Sequence, residues 1–588
     1  MLQFLKFVLA TFVGLSLFFM LTLFLLFGIA AVASRDQTVT LDQDSILELK
    51  LDKPIEERSV ENPFANVPLP FGQFQNNLGL DEILKAIRRA KNDNRIKGIH
   101  LYNENVSAGM ATVEEIRRAL LDFKESGKFI VAYSEVSSEK AYYLNSVADR
   151  IYLNPSGLME FNGLSSEIVF FKGTFDKLGI QPYVFRVGEF KSAVEPFIQA
   201  QMSESNRQQT QSFLSSLHDH ALGNIAQSRN LTVAQLRNIS DSLKVTSAED
   251  ALRNGLVTHL GYYDQVLDYF REQLGEEDAT KKPNVISLSR YKKVASDEGT
   301  STSRNRIAVI YASGDIVGGE GGEGSIGGTK YAEAIRKVRL DDNVKAVVLR
   351  INSPGGSALA SDIIWREVEL TKAVKPVIAS MSDLAASGGY YIAMACDTIV
   401  AHPNTITGSI GVFGMLFNTE PFLREKLGIT IDRVKTGRYA DMPTVTRPLT
   451  DFERQVLQKE TERIYEDFTR KAAQGRRITQ DQLKQYASGR VWSGIEAKER
   501  GLIDVLGSLD DAIQIAAAKA NLGDNYRIRS IPERKTFLEE FMTGLRDGVQ
   551  AKALRQDLGA LFPYYEAYKK VEGLQGIQAR LPYNLTVE

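Results

Sequence analysis

Ser387 has the surroundings expected of a nucleophile in acyl-transfer chemistry. A serine hydrolase needs a hydroxyl nucleophile, a base that takes its proton, and donors that bind the oxyanion. Ser387 follows the apolar stretch Val377–Met381 and a short turn, and Gly388 opens a predicted helix. Backbone amides there, and at Gly355-Gly356 after the neighbouring predicted strand, could converge on the attacked carbonyl. The glycines also fit tight turns and close helix packing, so the motif alone leaves both interpretations open.

The base that would activate this serine is not readily a histidine. The chain has five histidines: His100, His218, His220, His259 and His402. None of them follows Ser409, the second serine set among glycines. The sequence therefore offers no clear histidine for a Ser-His-Asp triad. Lys191 could serve instead if burial lowered its pKa from about 10.4 to about 7. A lone lysine is usually a solvated surface residue, and from these residues alone its role stays open.

The chain is a tandem duplication. At a nearly constant offset, Ala148-Asp149-Arg150-Ile151 corresponds to Cys396-Asp397-Thr398-Ile399, and Tyr142-Tyr143 corresponds to Tyr390-Tyr391. Such self-similarity indicates that one structural unit is repeated. The copies differ at the residues that could do chemistry. Opposite Ser387, Ser409 and Lys191 stand Glu139, Phe161 and Ala440 respectively. The second copy therefore keeps the serines and glycines, and the first copy keeps the lysine.

Helical and strand-like segments alternate in both copies, which predicts an α/β fold with parallel sheets. In the first copy we expect helices over 81–90, 113–126 and 140–147, and strands over 45–51, 98–101, 129–133 and 150–153. In the second we expect helices over 331–340 and 362–374, and strands over 306–311, 346–350, 377–381 and 398–401. With their helical extensions, the predicted domains span 45–270 and 305–520. Residues 521–588 form a tail without an assigned role.

Two further segments are predicted to be loops. The Pro- and Asn-rich segment Asn62–Asn77, which follows the first predicted strand, should be a linker loop. Gly318–Gly328 is rich in glycine but lacks the strand-to-helix setting and the lysine of a phosphate-binding loop. We therefore expect a mobile loop there and no nucleotide site.

Composition excludes several classes of function. Hydrophobic residues make up 43% of the chain, enough to bury more than one core. The formal net charge is −2, so a nucleic-acid partner has no electrostatic support. The single cysteine, Cys396, permits no intrachain disulfide and no cysteine-rich metal site, and we expect it to be a small core residue.

The N-terminus has the composition of a membrane anchor. Phe7–Ser34 contains no charged residue, and a bilayer core needs about 20 apolar residues. A cleaved signal peptide has a shorter apolar core, although Ala31-Val32-Ala33 resembles a cleavage site. Lys6 precedes the run, which favours a short cytoplasmic start. We therefore predict one transmembrane helix within residues 1–35 and a body on the periplasmic or outer side of the inner membrane.

Together these segments resemble the long, duplicated bacterial form of the signal peptide peptidase A family, also called protease IV. The resemblance covers nearly the whole chain beyond the anchor. It rests on Arg186–Phe197, Asn352–Ser357, Ala385–Tyr390 and Ile406–Gly411. It implies two Clp-protease/crotonase-like domains and a Ser-Lys dyad, with Ser387 as nucleophile and Lys191 as base.

The resemblance also implies roles for the neighbouring residues. Ser409 would orient the lysine amine, while Gly356 and Gly388 would form the oxyanion hole. Ser409 as the nucleophile is the alternative. No metal or cofactor is implied. The substrates would be remnant signal peptides in the membrane, and the protein would form homo-oligomers, tetrameric in the duplicated form.

Two other classes of function remain open. A crotonase-type acyl-CoA enzyme would also use backbone amides after a Gly-Gly turn, because fold alone does not decide function. Export across the membrane argues against this class, since acyl-CoA is cytoplasmic. A non-catalytic membrane scaffold is the third possibility, and it predicts no covalent reaction at Ser387.

Overall fold

The computed structural model describes residues 2–33, 39–59, 77–295, 303–322, 324–533 and 576–581. Its α-helices are α1 Leu2–Ala33, α2 Leu80–Asn92, α3 Met110–Lys124, α4 Glu139–Asn145, α5 Lys172–Leu178, α6 Glu195–Ile198, α7 Glu204–Arg229, α8 Val233–Asp241, α9 Ala248–Arg253, α10 Tyr263–Leu274, α11 Leu288–Tyr291, α12 Gly328–Leu340, α13 Ala358–Lys372, α14 Gly388–Ala393, α15 Asp451–Arg476, α16 Gln480–Tyr486, α17 Gly494–Glu499 and α18 Leu509–Lys519. A 3-10 helix covers Ser192–Val194 and a π-helix covers Phe422–Lys426.

The strands are short to medium in length. They are β1 Ser45–Leu49, β2 Ile55–Glu56, β3 Leu78–Gly79, β4 Ile96–Tyr102, β5 Phe129–Ser137, β6 Arg150–Met159, β7 Gln181–Val187, β8 His259–Leu260, β9 Val285–Ser287, β10 Arg306–Ser313, β11 Asp315–Val317, β12 Ser325–Gly327, β13 Val344–Ser353, β14 Gly355–Ser357, β15 Val377–Ala386, β16 Thr398–Ala401, β17 Ile406–Gly408, β18 Val412–Asn418, β19 Val491–Ser493, β20 Val505–Leu506, β21 Arg527–Ile531 and β22 Gly576–Arg580.

Each copy builds its own sheet, and the two sheets share one strand order. The first runs β8-β6-β5-β4-β1-β9 and is parallel throughout. The second runs β19-β17-β15-β13-β10-β21, with β16 beside β15 and β20, and its only antiparallel pair among the described strands is β17 with β19. The prediction of a duplicated, mixed α/β chain is confirmed.

Helices cover both faces of each sheet, which explains why the central strands are apolar on both sides. In the first copy, Phe270 of α10 packs on Val131, while Ile87 of α2 lies in the core on the other face. In the second copy, Ala516 of α18 packs on Val348, and α12 and α13 cover the opposite face. β9 is an edge strand of the first sheet and β21 is an edge strand of the second. The residues of both strands lie beyond the predicted domain spans.

A third sheet joins the two copies. Its order is β12-β11-β14-β22-β18-β7, so it combines strands of the second copy with β7 of the first and β22 of the C-terminal tail. Seven residues of β7 pair antiparallel with seven of β18. This pairing holds the segment after β7 against the second domain and so positions Lys191.

Some predicted segments differ from the structure or lie outside its described residues. The glycine-rich run Gly318–Gly328 is not entirely a loop, because its last residues form β12 and open α12. Within the predicted linker Asn62–Asn77, only residue 77 lies in the described part of the chain. Helix α1 occupies the predicted anchor. Among the described residues, however, no helix is long and apolar enough to cross a membrane. The predicted transmembrane helix is therefore not supported.

A buried ion cluster also connects the copies. The guanidinium of Arg350 in β13 is fully buried and lies 2.7 Å from a carboxylate oxygen of Glu57 and 2.8 Å from one of Glu115 in α3. His402 lies 2.7 Å from the same Glu115 oxygen. Burial alone would raise the pKa of Glu115, but the charges of Arg350 and His402 outweigh it and lower this pKa to about 2.

Candidate active site

Ser387 stands at the junction between β15 and α14 in an uncommon backbone conformation. Its φ is 55° and its ψ is −110°. A serine in this left-handed region is strained, and such strain concentrates at functional sites. The turn is held because the Ser387 amide donates to the carbonyl of Gly408 at 2.8 Å. The Ser387 side chain is fully buried, and its hydroxyl lies 3.3 Å from the carbonyl oxygen of Gly411.

Lys191 reaches this hydroxyl from the other copy. Its Nζ lies 2.8 Å from Ser387 Oγ, 3.0 Å from Ser409 Oγ and 3.2 Å from the Ser409 carbonyl oxygen. The lysine is fully buried, and burial lowers the pKa of its ammonium well below the ordinary value. A neutral amine at this distance can accept the proton of a serine hydroxyl, which is the task of a general base.

Ser409 also has a positive φ, of 49°. It lies in the turn from β17 to β18, where its amide donates to the Arg490 carbonyl at 2.7 Å. The two serine hydroxyls are thus both within hydrogen-bond distance of the Lys191 amine. Distance alone does not separate the nucleophile from the orienting group. The predicted oxyanion glycines favour Ser387, because Gly388 directly follows it and is in close contact with Gly355.

The predicted oxyanion residues Gly356 and Gly388 are both buried, and Gly388 directly follows Ser387 in the chain. A methyl group on Gly355 would lie 2.7 Å from the amide nitrogen of Gly388, so the Gly-Gly strand and the start of α14 are in close contact. Gly355 and Gly356 both need backbone conformations that side chains disfavour, with φ of 101° and 152°. The close approach therefore depends on Gly355 as well as on the two predicted glycines.

The turn that carries Lys191 interlocks with a turn of the second copy that the sequence did not single out. A methyl group on Gly489 would lie 2.7 Å from Lys191 Cβ, and one on Gly188 would lie 2.3 Å from the Ser488 carbonyl oxygen. Gln209 adds a further link, since its side chain donates to the Phe190 carbonyl at 3.1 Å and accepts from the Val491 amide of the second copy at 3.2 Å. The only signal for these turns in the sequence was the position of the two glycines. Gly188 directly follows a strand-like segment, and Gly489 lies just before one.

The corresponding positions of the first copy are occupied differently. Glu139, opposite Ser387, accepts hydrogen bonds from the amides of Asn162 and Gly163 at 3.0 and 2.8 Å. Phe161, opposite Ser409, is buried against Tyr142. The first copy therefore uses these positions for local structure.

The histidines hold other positions. His402 pairs with Glu115, and His220 lies 2.8 Å from Glu114. In the described part of the chain, the hydrogen bonds of Ser387 and Ser409 involve no histidine. Cys396 is buried, as expected, and burial raises the pKa of its thiol.

Comparisons with known proteins find the same repeat. Residues 122–276 and 369–523 each match peptidase family S49. The chain is 37% identical to the chloroplastic serine protease SPPA of Arabidopsis thaliana over 81% of this chain and 71% of that protein. It is also 37% identical to protease 4 of Salmonella typhi, over 82% of this chain and 78% of that protein. A solved ClpP1 mutant from Listeria monocytogenes is similar over 35% of this chain and 94% of that chain, with 16% identity and a TM-score of 0.24.

Proposed function

Because the chain belongs to peptidase family S49 and is a serine protease, we propose that it cleaves peptide bonds with a dyad divided between its two copies. Ser387 is the nucleophile and Lys191 is the general base. The observation that carries this proposal is the 2.8 Å separation of Lys191 Nζ and Ser387 Oγ inside a fully buried site. The low pKa of Lys191 supports it, since only the neutral amine can take a proton.

In the proposed reaction, Ser387 Oγ attacks the carbonyl carbon of a peptide while its proton passes to Lys191. The amides of Gly356 and Gly388 stabilise the negative charge on the carbonyl oxygen. The amine product leaves with the proton from Lys191, and an ester to Ser387 remains. Water, deprotonated by the same amine, then releases the acid product. Ser409 keeps the Lys191 amine in place through its hydroxyl, 3.0 Å away.

The proposed substrates are extended, apolar peptides such as remnant signal peptides. The resemblance to signal peptide peptidases supports this class. β14 and β18, the strands beside the site, flank β22 in the third sheet, and an extended peptide in the place of β22 can bind their edges through its backbone. The Clp-protease/crotonase relationship of the domains belongs to the same proposal, which the repeated parallel sheets support.

Location and assembly are proposals that rest mainly on the sequence. We place the body on the periplasmic or outer side of the inner membrane, on the basis of the uncharged run Phe7–Ser34 in the sequence. We also propose a homotetramer. Exposed apolar side chains after β18, at Leu427, Ile429 and Val434, support contact with further copies. Membrane fractionation with and without residues 1–35, and light scattering of the purified chain, test these two points.

The test of the dyad compares labelling and peptide cleavage in matched variants. The wild-type chain should react with a fluorophosphonate probe at Ser387 and cleave an apolar reporter peptide. Ser387→Ala should abolish labelling, and both Ser387→Ala and Lys191→Ala should lower cleavage by roughly 10⁴-fold or more. Ser134→Ala and Lys128→Ala, which remove a buried serine and a partly buried lysine of the first copy, are the controls.

Two outcomes would overturn the assignment. Labelling that survives Ser387→Ala but disappears in Ser409→Ala would make Ser409 the nucleophile. A wild-type chain that neither reacts with the probe nor cleaves peptides would contradict the proposed dyad as a whole.

A further inference from the structure

The turn that carries Lys191 is held by one buried side chain of helix α7. Gln209 is only 1% exposed, and its Nε2 donates to the Phe190 carbonyl at 3.1 Å and to the Ser192 hydroxyl at 2.9 Å. Phe190 and Ser192 are the residues directly before and after Lys191. A single amide group therefore holds the chain on both sides of the proposed base.

The oxygen of the same side-chain amide contacts the strands that hold the two serines. Gln209 Oε1 accepts from the amide of Val491 in β19 at 3.2 Å. Val491 pairs with Gly408 of β17, and the Gly408 carbonyl accepts the amide of Ser387 at 2.8 Å. The carbonyl of the residue before Val491 accepts the amide of Ser409 at 2.7 Å. Gln209 thus connects the turn of the base in the first copy with the backbone of both serines in the second.

The surroundings of Gln209 require an amide at this position. Its nitrogen faces three acceptors, because Asn206 Oδ1 lies 3.1 Å away in addition to the Phe190 carbonyl and the Ser192 hydroxyl. Asn206 is itself held in this orientation, since its Nδ2 donates to the buried carboxylate of Glu195 at 2.9 Å. A carboxylate would have no hydrogen for these acceptors, and a hydrocarbon would leave buried polar groups without partners.

Neighbouring residues of α7 fix the position of Gln209 along the second copy. Residues three and four positions apart lie on one face of a helix, so Ser212 and Phe213 share the face of Gln209. The Ser212 hydroxyl donates to the Glu496 carboxylate at 2.6 Å, and Phe213 is fully buried in the same apolar cluster as Val491. These contacts set α7 in one register against β19, and the bonds of Gln209 pass that register on to the Lys191 turn.

We propose that Gln209 is a positioning residue, which aligns the Lys191 amine with Ser387 by tying the turn of the first copy to the serine strands of the second. The inference rests on the proposed function. Without Gln209, the turn loses its bonds on both sides of Lys191 and moves relative to Ser387. A displacement of about 1 Å can cost about 10²-fold in rate. A loosened turn also lets water reach the fully buried Lys191 amine, which raises its affinity for a proton.

The first test measures kcat and KM for an apolar reporter peptide as a function of pH. Gln209→Leu removes the amide, whereas Gln209→Asn keeps an amide that is one carbon too short to reach Phe190 and Val491 together. We expect kcat to fall about 10- to 100-fold at neutral pH in both variants, with KM little changed. The acidic limb of kcat/KM should move to higher pH by about one unit or more, because the hydrated amine is protonated more readily. Gln211→Leu, on the exposed side of α7, should match the wild-type chain.

The second test examines the turn without relying on catalysis. Amide hydrogen exchange over residues 188–194, followed by mass spectrometry, should be faster in both Gln209 variants than in the wild-type chain and in Gln211→Leu. Exchange in β13 should stay the same in all four proteins.

Three outcomes decide between the possibilities. Wild-type kcat and a wild-type acidic limb in both Gln209 variants would overturn the inference and leave the protease assignment intact. A loss of kcat that only follows a smaller folded fraction in urea unfolding, with the acidic limb unmoved, would also overturn it, because a merely structural residue has that effect. A wild-type chain that neither reacts with the fluorophosphonate probe nor cleaves the reporter would instead refute the proposed dyad, and the role of Gln209 with it.

Discussion

Lys191 Nζ lies 2.8 Å from Ser387 Oγ although 196 positions separate the two residues in the chain. Each residue comes from a different copy of the duplicated unit, and both side chains are fully buried. The pairing of β7 with β18 brings them together, so the candidate site exists only when the two copies are docked.

Ser409→Ala should slow peptide cleavage without preventing the covalent reaction. The variant loses the hydroxyl 3.0 Å from Lys191 Nζ but keeps the Ser409 carbonyl contact. Loss of one hydrogen bond to a buried polar group costs about 1–3 kcal/mol, which corresponds to a roughly 5- to 150-fold decrease in kcat/KM. Fluorophosphonate labelling at Ser387 should remain detectable. Complete loss of labelling would contradict a merely orienting role.

The rate of peptide cleavage should fall as the pH is lowered through the pKa of Lys191. Burial holds this pKa well below its ordinary value, and the protonated ammonium cannot accept the proton of Ser387. A profile of kcat/KM against pH measures the acidic limb directly. Lys128→Ala should retain the same limb, whereas Lys191→Arg should be inactive at every pH, because a guanidinium stays protonated. An acidic limb unchanged by substitutions that expose Lys191 would argue for another base.

Lys191→Met should be more stable than the wild-type chain at neutral pH. Between the lowered pKa of folded Lys191 and the ordinary value of about 10.4, the unfolded chain binds a proton that the folded chain does not. The stability of the wild-type chain therefore rises with pH across this window, and the advantage of the variant shrinks towards pH ~10.4. Urea unfolding at several pH values tests this. Parallel curves for the two proteins would contradict the prediction.

Gly355→Ala should abolish most activity while the chain stays folded. The added methyl group would meet the Gly388 nitrogen at 2.7 Å, and a φ of 101° disfavours any side chain. Moving one oxyanion donor away costs about 2.7–4 kcal/mol, or roughly 10²- to 10³-fold in kcat. Gly414→Ala is the control in the opposite wall, because its methyl group would meet its nearest atom at 3.6 Å, an ordinary contact. Equal losses in both variants would point to general disruption of the groove.

Glu115→Gln should lower the free energy of unfolding by about 3–5 kcal/mol, because it leaves the buried guanidinium of Arg350 without one of its charged partners. The wild-type Glu115 carboxylate stabilises the fold above its ordinary pKa of about 4.3, and this contribution is lost as the pH falls towards about 2. Denaturant unfolding at pH 7 and at pH 3 measures both effects. Glu125→Gln, at the surface partner of Lys91, should change stability by less than about 1 kcal/mol. A similar small effect at Glu115 would show that the cluster does not stabilise the docking of the copies.

Local patterns in the chain were enough to predict the repeated units and most of their central elements. The apolar periodicity over 81–90 appears as α2, and the run 377–381 begins β15. These predictions succeed because period and burial are local properties of a helix or a buried strand. The comparison of the copies also singled out Ser387, Ser409 and Lys191, since a shared fold does not account for residues present in only one copy.

The sequence by itself thus determined that this chain repeats an α/β unit and which serines, glycines and lysine distinguish one repeat from the other. Only the tertiary structure decided which of them meet. The 2.8 Å contact of Lys191 with Ser387, the interlocked turns at Gly188 and Gly489, and the burial of Arg350 between two carboxylates all join residues far apart in the chain. The insertion of β22 between β14 and β18 was also decided only by the tertiary structure, because the segment 576–580 has no local feature that identifies the strands with which it pairs. Strand pairing and burial depend on the packing of distant segments, and local sequence patterns do not encode those distances.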